Sequence, residues 1–339
     1  MHQNRRTFLN TLLATGFALG TSRETAANIL KSPTAESDFR FFDFHCHPSQ
    51  AKTLIDMSTA HLSGAFCCLV ADLKIIRIET SRVRAYRQFE AGEAWKNYGE
   101  QMNLLKDLIK TSPVRLSTVS TDLTIDDPRP ATYLGCEGCN FLEGKIDRLH
   151  TMYGDGVRLL QLVHYSQNEV GDLQTEEPVH HGLSPFGVDL VREMNATGML
   201  IDVAHASYET AKAVVMETKK PIVLSHTILE VKGKEVKRAI TPDHAKAIAS
   251  TGGLIGMWPS GFNDNLNAFV ENTLRMIHVV GIDHVGLGTD MDGNYKPVIA
   301  NYLEVKTWAD ALRAKGLSDS DMMKLSRGNA ERILKATLS

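Results

Sequence analysis

Two patterns of apolar and polar positions alternate along most of this chain. Short continuous apolar runs occupy residues 64–70, 133–138, 157–164, 198–205, 221–226, 253–258 and 284–290, and runs of that length suit strands buried on both faces. Between them lie longer stretches in which apolar residues recur every three or four positions, at 91–111, 187–197, 208–219, 241–251 and 266–280. That spacing predicts helices with one buried face. Ser112-Pro113 closes the first of these helices, and Thr241 is an N-cap for the fourth. Residues 41–48 and 115–119 add short strands, and helices running through Ala309 and over 318–338 finish the chain. Strands alternating with helices predict parallel strands joined by helical crossovers. About eight such strands make a closed barrel, so the expected fold is a TIM-like (β/α)8 barrel, distorted from the ideal.

A chemical regularity supports the closed form. The predicted strands end, one after another, on residues able to hold a metal: His45 and His47, Glu137, His164, His205, His226 and Asp290. An open doubly wound sheet gathers its site at one switch point, and no G-x-G-x-x-G fingerprint follows the first strand. In that strand Phe41, Phe42 and Phe44 mark burial, period-two alternation puts His45 and His47 on one side, and Pro48 ends the ladder. Imidazoles, a glutamate and an aspartate at one rim suit borderline divalent cations, zinc first. Glu137, with two oxygens, can bridge two ions, and Asp290 is placed to take a proton from a water between them and return it to a leaving amine. Asp292 shares the side of Asp290 and is a second candidate for the proton. Asp43 reads as structural, His180 and His181 as loop or lid residues, and Trp258 equally as pocket lining or core.

Composition narrows the class. The 339 residues include 43% hydrophobic ones, enough for a large interior, and the formal net charge is -3. No basic run occurs outside the N-terminus, so nucleic acid is not an expected partner. Residues 1–27 resemble a twin-arginine export signal: Arg5-Arg6 precedes the apolar run at 11–20, with small residues for cleavage near Ala18 or at Ala26 and Ala27. Residues 28–38 form a polar lead-in, and 39–339 are expected to be one domain, exported to the periplasm with no membrane span once the signal is removed. Among the five cysteines, Cys67 and Cys68 read as core, and Cys136 with Cys139 makes a lone C-x-x-C. Disulfide connectivity stays open.

These residues together resemble the membrane dipeptidase family of binuclear zinc hydrolases, within the amidohydrolase-like barrels. The resemblance runs from about Phe41 to about Leu334. It is carried by Leu134-Gly135-Cys136-Glu137-Gly138, by Gly156-Val157-Arg158-Leu159 running to His164, and by Ile201-Asp202-Val203-Ala204-His205. Ile222-Val223-Leu224-Ser225-His226, Arg238-Ala239-Ile240-Thr241, residues 285–293 and the tail 327–334 extend it. The resemblance implies two divalent ions, most simply zinc, held by His45, His47, Glu137, His205 and His226, with Glu137 bridging. It implies that His164 steadies the substrate carbonyl, Arg238 grips a terminal carboxylate and Asp290 handles the proton. One departure is evident: the family usually carries His-x-Asp on its first strand, and here it is His45-Cys46-His47. The expected activity is hydrolysis of dipeptides with a free C-terminal carboxylate, including those with a C-terminal D-residue, by a metal-bound hydroxide. Lactam opening, cleavage of N-acylated amino acids, and a non-catalytic metal-containing binding protein are the alternatives, and retention of Asp290 speaks against the last. A homodimer is left open.

Overall fold

In the computed structural model, residues 39–79, 82–123 and 126–338 are described; the expected export signal and lead-in, 1–27 and 28–38, lie outside the described residues. Eight parallel strands form a ring: β1 (Phe42–Cys46), β2 (Gly64–Val70), β3 (Ala131–Glu137), β4 (Val157–Gln161), β5 (Leu200–Asp202), β6 (Val223–Leu229), β7 (Leu254–Met257) and β8 (Val285–Leu287). Each pairs with its neighbour in sequence order, and β8 returns to β1 through Asp43 opposite Leu287. The expected barrel is therefore observed. Residues 115–119 yield only Arg115–Ser117, outside the ring. That strand pairs with Ala131–Tyr133, the half of the β3 edge that β4 leaves free, because β4 pairs with β3 only from Leu134 onward.

Helices cover the barrel where the apolar spacing places them: Glu93–Lys110, Pro185–Thr197, Tyr208–Glu217, Pro242–Ser250 and Leu266–Val280. Four of these five starts are fixed by side-chain caps, with Ser184, Ser207, Thr241 and Asn265 each accepting from a backbone N–H three residues on; Glu93–Lys110 instead follows Gly92 in a left-handed conformation. The run at 318–338 is not one helix. Ser318 and Asp321 form a capping box at Asp319–Met323, a π turn spans Lys324–Gly328, and Asn329–Thr337 follows. An antiparallel hairpin, Ile76–Glu79 with Arg82–Ala85, extends the connection after β2 and was not legible in the pattern.

The apolar interior has two layers. Between strands and helices lie residues such as Leu54, Met57, Val191, Val214, Ile248, Phe269 and Trp308. Inside the ring, Phe42, Phe44, Phe66, Tyr133, Leu159, Leu200, Val223 and Leu254 pack with Ala330, Ile333, Leu334 and Leu338 of the chain's last turns. This inner layer leaves the other end of the barrel for polar residues. A bulge makes that possible in β1: Asp43 faces Ala65 while Cys46 faces Cys67, three steps against two. In an unbroken strand, inward Phe42 and Phe44 would turn His45 outward; the extra residue lets His45 and His47 point inward as well.

Candidate metal centre

The centre is built around Glu137, the last residue of β3, which is buried. Five imidazole Nε2 atoms face its carboxylate. His45, His205 and His226 lie 3.4, 3.2 and 3.6 Å from Oε1, and His47 and His164 lie 3.2 and 3.3 Å from Oε2. Asp290 Oδ1 is 3.3 Å from His47 Nε2. The Nε2 atoms of His45 and His47 are 3.0 Å apart, and those of His205 and His226 are 3.1 Å apart. Every site residue expected from sequence, Arg238 included, is at least nine-tenths buried except His47, whose side chain is 12% exposed.

Not all of these residues sit where strand-end reasoning put them. His226 is the fourth residue of β6, which runs on to Leu229. His164 lies three residues beyond β4, in a loop. His205 and Asp290 follow short strands and adopt left-handed backbone, φ 64° and 54°. Such conformations are uncommon outside glycine, cost on the order of 1–3 kcal/mol, and cluster at functional sites. Asp292, the second candidate for the proton, is committed elsewhere: its Oδ2 accepts from Ser49 N, Ser49 Oγ and Thr53 Oγ1. Asp43 is structural, accepting from His45 N, Thr289 N, Thr289 Oγ1 and Tyr302 OH. His180 bonds the Asn168 carbonyl and does not enter the centre. The five cysteines are all buried free thiols.

The far nitrogens of four of the five imidazoles are held too, while His205 Nδ1 is buried without a hydrogen-bond partner among the described residues. His47 Nδ1 donates to the Cys68 carbonyl (3.0 Å), and His164 Nδ1 meets Asp72 Oδ1 at 2.6 Å. Asp72 is itself locked by the backbone N–H groups of Tyr165 and Ser166. Ser225 Oγ lies 3.0 Å from His226 Nδ1 and 3.3 Å from His45 Nδ1. An imidazole whose Nδ1–H is so engaged presents the Nε2 lone pair forward, the state in which it ligates a metal.

The electrostatics set one buried carboxylate against several imidazoles. Burial disfavours the Glu137 carboxylate, but His164, His45, His47 and His205 outweigh it and hold its pKa well below the usual range. Burial likewise opposes charge on His47 and His164, yet Glu137 with Asp290 beside the first, and Asp72 with Glu137 beside the second, raise both. Burial, with the Arg238 charge adding to it, keeps His205 and His226 neutral, their pKa values well below 6.5. Three overlapping sets of ligand atoms each lie within 4.8 Å of one another: His45, Glu137 and His226; His45, His47 and Asp290; Glu137, His164 and His205. The donor set of nitrogen and carboxylate oxygen fits zinc or a similar divalent ion. It is roomier in ligands than a single tetrahedral ion requires, so the residues fit the expected metal binding.

Arg238 borders this centre. Its Nη1 donates to Gln174 Oε1 (2.6 Å), its guanidinium carbon is 5.5 Å from the centroid of the Trp258 ring, and the Tyr165 side chain lies beside it. Nε and Nη2 are buried without a hydrogen bond of normal geometry among the described residues. Trp258 in turn lies 5.7 Å, ring to ring, from His226, so it lines the site. The Tyr165 ring stands 4.5 Å from His164 and 4.8 Å from His205. Asp72, Tyr165, Gln174 and Ser225 escaped the sequence reading. Asp72 lies two residues beyond β2 and carried the same polar-after-strand signal as the ligands; Gln174, inside a long loop, carried none.

Comparison with known proteins fits this geometry. Residues 43–339 match the model of the membrane dipeptidase family, peptidase family M19. Dipeptidase tcpJ of Claviceps purpurea is 32% identical over 220 residues, 60% of this chain and 50% of the relative. Dipeptidase aclJ of Aspergillus oryzae is 30% identical over 219 residues, 61% and 51%. The chain thus spans about half the length of these curated relatives. Among solved structures, dipeptidase AC superposes with a TM-score of 0.78 at 19% identity, covering 89% of this chain and 99% of that one. A metallopeptidase from Rhodobacter sphaeroides, liganded with a phosphinate mimic of L-Ala-D-Ala, gives 0.76 at 18%, covering 88% and 99%. At such identities the structural likeness establishes the fold, and the match over residues 43–339 establishes the lineage: the chain belongs to the membrane dipeptidase family, peptidase family M19.

Proposed function

We propose that the protein is a metal-dependent dipeptidase whose substrates carry a free C-terminal carboxylate, and that it holds two divalent ions, zinc first, on His45, His47, Glu137, His205 and His226. The observation that carries this reading is the convergence of five imidazoles, four of them buried, and Asp290 about Glu137, with Nε and Nη2 of Arg238 close by. Divalent ions bound there would polarise the scissile carbonyl and lower the pKa of an attacking water. Arg238 would take the substrate carboxylate in its planar fork and fix the register of the peptide bond. His164, braced by Asp72, would donate to the carbonyl oxygen as negative charge develops. Asp290 would accept the proton of the attacking water and pass it to the departing amine nitrogen. The peptide-mimic ligand of the Rhodobacter sphaeroides neighbour supports a dipeptide of L-then-D stereochemistry as a substrate to try first. The Arg5-Arg6 segment supports export of the folded protein to the periplasm.

The test pairs metal content with hydrolysis. Purified protein should carry close to two transition-metal ions per chain and cleave Ala-Ala dipeptides of either C-terminal stereochemistry. Asp290→Asn should keep at least one of the ions and lose activity by a factor of 100 or more. Metal-loaded wild type that cleaves no dipeptide in a panel of both stereochemistries would overturn the reading.

A further inference from the structure

We propose that Ser225 is a positioning residue that orients two metal ligands at once, so that the two ions are gained and lost together; this rests on the metal-binding reading above. The geometry comes from a single hydroxyl. Ser225 Oγ lies 3.0 Å from Nδ1 of its chain neighbour His226, on β6, and 3.3 Å from Nδ1 of His45, 180 residues earlier on β1. For both imidazoles to present Nε2 lone pairs toward Glu137, both Nδ1 atoms must carry hydrogen. A serine oxygen has two lone pairs and one hydrogen, so it can accept from both rings if its own hydrogen points elsewhere. The acceptor beside it is the Asp202 carboxylate, which the Ser225 side chain influences and whose Oδ2 is buried without a hydrogen-bond partner among the described residues. Asp202 is fixed in turn, since its Oδ1 accepts the backbone N–H groups of Ala204 (2.9 Å) and Ser225 (3.0 Å).

The serine has little freedom to turn away. It is fully buried, and its carbonyl sits so close to β7 and to the residue after β8 that a Cβ on Gly256 or Gly288 would fall 1.7 or 1.8 Å from it. The other imidazoles are not tied to this hydroxyl: His47 rests on the Cys68 carbonyl, His164 on the Asp72 carboxylate, and His205 Nδ1 has no hydrogen-bond partner among the described residues. His45 and His226 alone among the five share one support; Cys68 Sγ, 3.6 Å from His45 Nδ1, is a longer and weaker second contact on that ring. In the assignment carried by the family resemblance, His45 serves the first ion and His226 the second, which makes Ser225 the point where both coordination shells are oriented.

Outer partners of metal ligands typically contribute 10–100-fold to affinity. The experiment strips metal from the full-length protein, then measures zinc affinity of both sites by competition with a chromophoric chelator, for wild type, Ser225→Ala, Ser225→Thr and Ser225→Cys. Melting temperatures are taken with and without zinc. The expected result is a 10–100-fold loss at both sites in Ser225→Ala and Ser225→Cys, wild-type behaviour in Ser225→Thr, and a metal-free melting temperature little changed in Ser225→Ala. Loss at one site only, no loss, or a metal-free protein destabilised as much as the zinc form would overturn the proposal. If Ser225→Ala does not fold, the Thr and Cys variants decide: equal affinities overturn it, and weaker zinc binding in Cys alone upholds it. Wild type that takes up no zinc would instead defeat the metal reading itself.

Discussion

Replacing Arg238 by methionine gives the sharpest test of how substrate is held. The guanidinium is buried, 4% exposed, and spends one N–H on Gln174, leaving Nε and Nη2 as an open fork. Burial depresses its pKa from the ordinary arginine value, with Tyr165, Glu137 and Asp290 acting the other way, and a bound carboxylate would favour the charged form further. Two charge-assisted hydrogen bonds to a carboxylate contribute on the order of 1.5–3 kcal/mol each. Taking the lower end for both, Arg238→Met should cost about 3 kcal/mol of transition-state binding, roughly a 100- to 200-fold fall in kcat/KM for a free dipeptide. The assay compares that dipeptide with its C-terminal amide. Wild type should already be slow on the amide, and Arg238→Met should lose less than about threefold on it. Because Arg238 also holds down the pKa values of His205 and His226, metal content is measured alongside. An equal fall on acid and amide, with metal retained, would refute the carboxylate role.

Other consequences can be checked independently. A Cβ at Gly293 would lie 2.7 Å from both Asp290 Oδ1 and His47 Cδ2; Gly293→Ala should therefore cut kcat at least tenfold while shifting the urea midpoint little, and a variant of full activity would contradict the placement of Asp290. His47→Asp restores the family's His-x-Asp on the first strand and adds a negative charge, so zinc affinity at the weaker site should rise by about tenfold or more in chelator titration. Burial pushes the His244 imidazole down to about 4, so it is neutral in the fold and gains a proton more readily unfolded. Its stabilising contribution is whole above pH 6.5 and is lost as pH falls through about 4; between pH 7.5 and 5 it should cost about 2 kcal/mol. His244→Leu should lose correspondingly less over that interval in urea unfolding, and identical losses would count against it. Finally, Arg5→Lys with Arg6→Lys should hold the protein in the cytoplasm on cell fractionation.

Much of the barrel was readable because buried parallel strands are short apolar runs and surface helices repeat every 3.6 residues. The ligands were readable for a related reason: a polar residue closing such a run, as Glu137 closes β3, has few explanations other than a site. What stayed hidden depended on backbone detail or on contacts across the ring. Alternation put His45 and His47 on one side, but only the bulge between Asp43 and Cys46 turns that side inward together with Phe42 and Phe44. The left-handed turns at His205 and Asp290 have no signature in apolar spacing. Ser225 could not be singled out while His45, its second partner, was 180 residues away in sequence. The strand at Arg115–Ser117 was legible as a strand, yet its place outside the ring was set by where β4 begins to pair.

The inner apolar layer also bears on how the barrel tolerates loss of sequence. Ala330, Ile333, Leu334 and Leu338 seal the floor of the ring beneath Phe42 and Phe44, so segments far apart in sequence belong to the same cluster. A barrel without that plug would keep its aromatic lining wet. Deleting the segment that carries Ala330 to Leu338 should therefore leave a sticky, protease-sensitive product.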